Sequence, residues 1–163
     1  MIYPGNPVHF TARTQIRGLE NGELTLQPKW DGRRAVWMPS SGLWYKSGKP
    51  CDAKPWKDLY IPNSPYPLDL ELMRDRAIVL DIIVPKLTLK ERLREAGRLG
   101  LEIMSFDVNT PDHVRIYFNK CRTSGICDGV VLKRLSSLYP INMKSQLDCS
   151  DWVKVKDESI RLV

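Results

Sequence analysis

Residues 26–34 read LQPKWDGRR. One lysine, one aspartate and two arginines crowd around Gly32, between flanks that read as strand interiors, GELTL (22–26) before and AVWM (35–38) after. The Asn21-Gly22 pair is a turn signal, and the alternation that follows puts Leu24 and Leu26 on one face. A strand is predicted over 23–29. RRAVWM, PSSG and LWYKSG follow in order and predict a hairpin. A strand end with this much charge raises a question of chemistry, because charge on a half-buried strand needs solvent or a partner.

Working outward, residues 49–67 hold five of the twelve prolines, which excludes a long helix and predicts a surface loop. YPLDLELM (66–73) and AIVLDIIVP (77–85) predict two more strands, separated by the polar RDR. In TLKERLREAG (88–97), Thr88 with Glu91 three residues on is a capping box, and Gly97 is the expected helix stop. In TPDHVRIYFNKC (110–121), Thr110 is the expected N-cap, Pro111 the first helical residue, and Gly125 marks the end. CDGVVLKR (127–134) and DWVKVK (151–156) predict the last strands. Many strands and two helices without a βαβ rhythm predict an α+β fold with antiparallel sheets. A length of 163 residues fits one domain over 1–163 with a sizeable core.

Composition narrows the class. No apolar run approaches the roughly 18 residues of a membrane span. The N-terminal MIYPGNPVHF lacks a basic start and an apolar h-region, so no signal peptide is expected, and the expected compartment is the cytoplasm. Cys51, Cys121, Cys127 and Cys149 form no C-x-x-C pair, and His9 and His113 alone supplement them. That spacing favours reduced thiols over zinc. The net charge of +6 is spread as +3 on residues 1–80 and +3 on 81–163, with no basic tail. Such a charge fits a polyanion partner and a plain soluble protein equally.

Five clusters carry the chemistry: Lys29 to Arg34, Asp69-Leu70-Glu71, Leu80-Asp81, Asp128 to Lys133, and Trp152 to Lys156. Lys154 and Lys156 lie two apart and share a strand face. Glu71 and Asp128 offer hard oxygen ligands for a divalent cation. A lysine among carboxylates and other lysines reads as a nucleophile, since neighbouring cations favour its neutral form, and a phosphate substrate gives those cations a role. Taken singly, each cluster has a plainer reading: a charged turn, a solvated face, or an edge strand guarded by lysines.

Their order along the chain resembles the nucleotidyltransferase domain of ATP-dependent polynucleotide ligases, a superfamily shared with mRNA capping enzymes. The resemblance runs from Gly22 to Lys156. K-x-D-G-x-R is matched by Lys29, Asp31, Gly32 and Arg34. The S-R-x-G element resembles Tyr45-Lys46-Ser47-Gly48, the D-G-E motif Asp69-Leu70-Glu71, and the F-D-x-x motif Leu80 to Ile83 followed by Glu91-Arg92. E-G-V-V-x-K resembles Asp128 to Lys133, and W-x-K-x-K is matched by Trp152, Lys154 and Lys156. The resemblance implies an ATP-grasp-like nucleotidyltransferase fold of antiparallel sheets flanked by helices, without a C-terminal OB-fold.

It also implies roles. Lys29 attacks ATP and holds AMP. Gln27 reads the adenine edge, Leu80 and Val131 line the base, Arg34 contacts the ribose, and Glu71 contacts the ribose or a metal. Asp128 is a ligand to magnesium or manganese, Lys154 and Lys156 hold the α-phosphate, and Lys46 binds the 5′-phosphate of a nick. The implied partner is nicked duplex DNA or RNA, met by a monomer that does not engage a membrane. A second protein supplying the OB-fold function is compatible with the short DESIRLV ending. Three departures stand out: Leu80 in place of a stacking aromatic, which Phe106 is not placed to replace; Leu70 in place of a glycine; and Asp128 in place of glutamate. The alternatives are a GTP-using capping-type enzyme, an RNA ligase and a non-catalytic nick-binding module.

Overall fold

The computed structural model describes residues 2–10, 21–142 and 148–156. Its strands are β1 (Tyr3–Pro4), β2 (Asn6–His9), β3 (Leu24–Trp30), β4 (Arg33–Met38), β5 (Gly42–Tyr45), β6 (Leu68–Leu72), β7 (Ala77–Ile82), β8 (Phe106–Val108), β9 (Cys127–Arg134), β10 (Ile141–Asn142) and β11 (Asp148–Val155). Its helices are α1 (Leu89–Arg98) and α2 (Pro111–Ser124), and the proline-rich loop holds a single 3-10 turn at Trp56–Asp58. The fold is α+β, and all sheet pairs are antiparallel except β2 with β11. Among the described residues no helix is long and apolar enough to cross a membrane. The chain divides into two compact units.

The first unit comprises Met1–Gly5, Gly32–Ile103 and Leu138–Leu147. Its four-stranded sheet runs β5-β4-β6-β7, beside the small β1–β10 pair. Alternation on β6 sends Leu68, Leu70 and Leu72 into a core with Ala35, Val79, Ile82, Ala96 and Leu101. The residues between them, Asp69 and Glu71, take the other face. Leu70 pairs with Val79, but Asp69 pairs with Asp81, so Leu80 is the extra residue of a bulge in β7.

A buried polar chain binds this unit internally. Arg92 of α1 donates from Nε and Nη2 to the two oxygens of Asp81, both at 2.9 Å, and from Nη1 to the Leu87 carbonyl. The Tyr139 ring lies under the Arg92 guanidinium at 5.3 Å, and its hydroxyl donates to Asp69 Oδ2 at 2.8 Å. Asp69 in turn accepts a fork from Arg34, Nε to Oδ1 at 2.9 Å and Nη2 to Oδ2 at 2.6 Å. Bidentate geometry is what makes such burial tolerable, because each carboxylate oxygen keeps a charged donor. Burial also pushes the Tyr139 phenol well above its ordinary range, with the Asp69 charge adding to the effect.

The second unit comprises Asn6–Asp31, Met104–Ser137 and Asp148–Val163. Its five strands run β2-β11-β9-β3-β8. Leu24, Leu26, Val130, Leu132, Val153 and Val155 form one face and pack with Val114, Phe118 and Cys121 of α2. The three α2 residues fall four and three apart, which places them on one helical stripe.

Both helices start as expected. Thr88 and Glu91 form the reciprocal capping box, and Thr110 caps α2 with Pro111 at its first turn and Gly125 in the left-handed region at its end. Gly97 is not the stop of α1. The helix runs to Arg98, and Gly100, at φ +70°, makes the left-handed turn. Gly100 N–H bonds to Gly97 O and Leu101 N–H to Ala96 O, a Schellman closure whose hydrophobic partners, Leu101 and Ala96, sit in the core.

Removing one member of the buried Asp81–Arg92 pair strands the other. Arg92→Ala is expected to destabilise the protein by about 3–5 kcal/mol. Arg92→Lys should recover only part of this, lacking the planar fork. Urea unfolding measures both, and an Arg92→Ala midpoint equal to wild type would show that the pair is not structural.

Candidate active site

In the second unit, Leu24 and Leu26 must face α2, so strand parity turns Thr25, Gln27 and Lys29 to the other side. The ladder extends that face across the sheet. Thr25 pairs with Lys133 and Lys133 with Trp152; Gln27 pairs with Val131 and Val131 with Lys154; Lys29 pairs with Gly129. Gln27 and Val131, expected to meet the base, are therefore side by side with Lys154, expected to meet the phosphate. The Lys133 ammonium lies 4.4 Å above the Trp152 ring. Phe106 pairs with Leu26 and stacks on Tyr117 of α2, ring centres 4.7 Å apart, so it belongs to the opposite face.

Asp128 is the hub of this face. On a regular strand it would share the side of Val130. Trp30 pairs with Cys127 while Lys29 pairs with Gly129, so Asp128 is the extra residue of a bulge, a device that re-aims a side chain. Lys29 Nζ lies 2.7 Å from Asp128 Oδ1, and Lys156 Nζ lies 3.0 Å from Oδ2. The three side chains are only partly exposed, 25% for Lys29, 28% for Asp128 and 31% for Lys156. Burial pulls the Asp128 carboxyl upward, but the hydrogen bonds and charges of the two lysines outweigh it and hold the group below its ordinary value. Gly129 is required beside it, because a Cβ there would overlap the Val155 carbonyl oxygen.

The first unit carries the remaining candidates. Arg34 is half-buried with its fork on Asp69, and Nη1 donates to the Gly5 carbonyl at 2.7 Å. Burial opposes the charge of Arg34, yet the Asp69 carboxylate keeps its pKa above the ordinary value. Glu71 pairs with Arg34 across the ladder, and its Oε1 accepts from the Gly32 N–H at 3.2 Å. Leu80 is half-buried at the bulge. Lys46 is exposed just past β5, in a turn closed by Gly48 N–H to Tyr45 O. Arg33 holds its guanidinium 4.0 Å over the Tyr45 ring.

The structure thus brings Lys29, Asp128 and Lys156 together, with Gln27, Val131 and Lys154 in the adjoining row. Sequence reasoning missed Tyr139 as the donor to Asp69. A tyrosine in a loop has no periodicity to mark it. The position of Lys133 was available from parity, being two residues from Val131.

The four cysteines are free and buried. Among the described residues no group of three or more His, Cys, Asp or Glu side chains is placed to hold a metal. Magnesium is commonly held by one or two carboxylates together with phosphate oxygens and water. A single carboxylate already neutralised by two lysines fits a cation that arrives with phosphates, not a cage built by the protein alone.

Asp128 has a depressed folded-state value, so its ion pairs stabilise above the unfolded value of about 3.9 and are lost as pH falls through the lower folded value. The stability difference between wild type and Asp128→Asn should therefore be full at neutral pH and shrink below about pH 4. Thermal melts across that range test this, and a difference that grows on acidification would refute the assignment.

No family profile and no curated protein matches the sequence. Solved structures do match its fold. A Lig E DNA ligase superposes with a TM-score of 0.70 over 94% of this chain and 68% of that one, at 15% identity. The Chlorella virus DNA ligase-adenylate gives 0.65 over 94% and 69%, at 11% identity. An archaeal ATP-dependent RNA ligase gives 0.61 over 96% and 49%, at 15% identity. This chain therefore spans between 49% and 69% of the length of these three proteins. Its fold is the fold of the nucleotidyltransferase domain of ATP-dependent ligases.

Proposed function

We propose that this chain performs adenylyl transfer as the nucleotidyltransferase part of an ATP-dependent DNA ligase. The observation that carries the reading is the Lys29–Asp128–Lys156 cluster, 2.7 and 3.0 Å across its two contacts, beside the Gln27–Val131–Lys154 row.

In this reading the Lys29 ammonium first gives up its proton to water, and Asp128 stays ionised. The neutral amine attacks the α-phosphorus of ATP. A nitrogen–phosphorus bond forms, the bond from that phosphorus to the bridging oxygen breaks, and pyrophosphate leaves. Lys154 and Lys156 stand on the same face, where their charges oppose the charge that builds on the α-phosphate. Gln27 and Val131 meet the base. Arg34 reaches the ribose with a guanidinium whose plane Asp69 has already set. Asp128 is the carboxylate that would hold a magnesium or manganese ion arriving with the triphosphate, and such an ion would neutralise phosphate charge. AMP then passes from Lys29 to a 5′-phosphate, for which Lys46 is the proposed contact, and a 3′-hydroxyl displaces AMP to join the strand.

A second reading keeps the chemistry and changes the polymer. It is an RNA ligase, supported by a fold likeness to the archaeal RNA ligase similar in degree to that of the DNA enzymes.

Intact mass after incubation with magnesium and ATP should rise by one AMP, and Lys29→Ala should abolish the rise. GTP in place of ATP tests the capping-type alternative. An adduct that persists in Lys29→Ala would mean another nucleophile. The adenylated protein should then seal nicked DNA faster than nicked RNA, and affinity for either should fall steeply with salt, since phosphate contacts dominate such binding. Faster sealing of RNA would favour the second reading.

A further inference from the structure

Tyr139 stands in the loop between β9 and β10, where an isolated bridge from Leu138 to Thr88 seats the chain against the start of α1. It is 3% exposed and meets both buried ion pairs of the first unit. Its ring lies 5.3 Å from the Arg92 guanidinium, and its hydroxyl donates to Asp69 Oδ2 at 2.8 Å. Asp69 pairs with Asp81 in the ladder, so two wholly buried carboxylates stand side by side, and each needs donors to remain there.

The two arginine forks differ in what holds them. The Arg92 side chain is wholly buried, so packing fixes it, whereas the Arg34 side chain keeps 15% of its surface exposed. The terminal torsion of an aspartate is soft, and a fork rides with its carboxylate. A third donor on Asp69, arriving from a separate segment, opposes that rotation. Burial and the Asp69 charge keep the Tyr139 phenol protonated, so the hydroxyl is the donor.

We propose that Tyr139 is a positioning residue for Arg34: its hydroxyl pins the Asp69 carboxylate, which sets the guanidinium plane, and so sharpens recognition of a ribose hydroxyl. Tyr139, Asp69 and Arg34 all belong to the first unit. The inference deepens the adenylyl-transfer reading and rests on it for the ribose, but not for the contact.

Tyr139→Phe keeps the ring beside Arg92 and removes only the hydroxyl. Single-turnover adenylation read by intact mass, across concentrations of ATP, 2′-deoxy-ATP and 3′-deoxy-ATP, tests the role. Wild type should half-saturate at lower ATP than at least one deoxy analogue. In Tyr139→Phe the half-saturating ATP should rise about fivefold, the scale of one hydrogen bond's net contribution, and the preference over that analogue should shrink by the same factor. A purely structural hydroxyl would leave the preference unchanged, and that result overturns the proposal. So does a wild type that treats all three nucleotides alike.

Exchange of the Arg34 Nε proton, followed by NMR without nucleotide, needs no activity. It should be about fivefold faster in Tyr139→Phe than in wild type, because the fork opens more often. Equal exchange overturns the pinning outright. If wild type takes up no AMP, the adenylyl-transfer reading fails along with the ribose part of the proposal, and exchange alone decides whether Tyr139 holds the fork.

Discussion

The register between β3 and β9 is the constraint on which the second unit depends. Leu24 and Leu26 are buried against α2, and their pairing with Arg134 and Leu132 fixes which residues stand opposite them. A slip of one residue would expose both leucines and bury Lys29, and a two-faced strand has no intermediate. The same ladder sets Gln27 beside Val131, and the next one sets Val131 beside Lys154. The hydrophobic core and the placement of the lysines are therefore one decision taken by the pleat.

The two units neutralise buried charge differently. In the first, Asp81 and Arg92 are wholly buried and bidentate, and Tyr139 links them through Asp69 to Arg34. Every donor there has a fixed partner, as suits a structural network. In the second, Asp128 is shared by two lysines that keep about a quarter to a third of their surface exposed. A carboxylate with two cationic partners at single-oxygen contacts is easier to rearrange than a fork. The proposed chemistry at Lys29 would use such latitude, because its proton would have to leave before it could attack.

Glycines mark where backbone approaches backbone. Gly129 leaves room for the Val155 carbonyl, and Gly32 for the Leu72 carbonyl. Gly129 adjoins Asp128, and close approach there limits how far that side chain can drift, although the glycine carries no functional group itself.

Alternation, caps and turn residues were legible from the chain alone. They placed the β4–β5 hairpin, the long strands, both helix starts and the end of α2, because each depends on neighbours within a few residues. The placing of Lys154 and Lys156 on one strand face followed from parity in the same way. Short strands such as β1, β2, β8 and β10 were not legible, since two to four residues carry too little pattern and form only when a partner strand arrives. The stop of α1 depended on Gly100, where the left-handed turn lets Leu101 return to the core. The two bulges were equally hidden. Asp128 and Leu80 are extra residues only relative to a partner strand, and a single strand does not reveal its partner's register. Composition and order determined which groups this chain brings to its candidate site, while the bulge at Asp128 and the close approach of Gly32 to Leu72 were decided by tertiary structure, because both are contacts between segments distant in sequence.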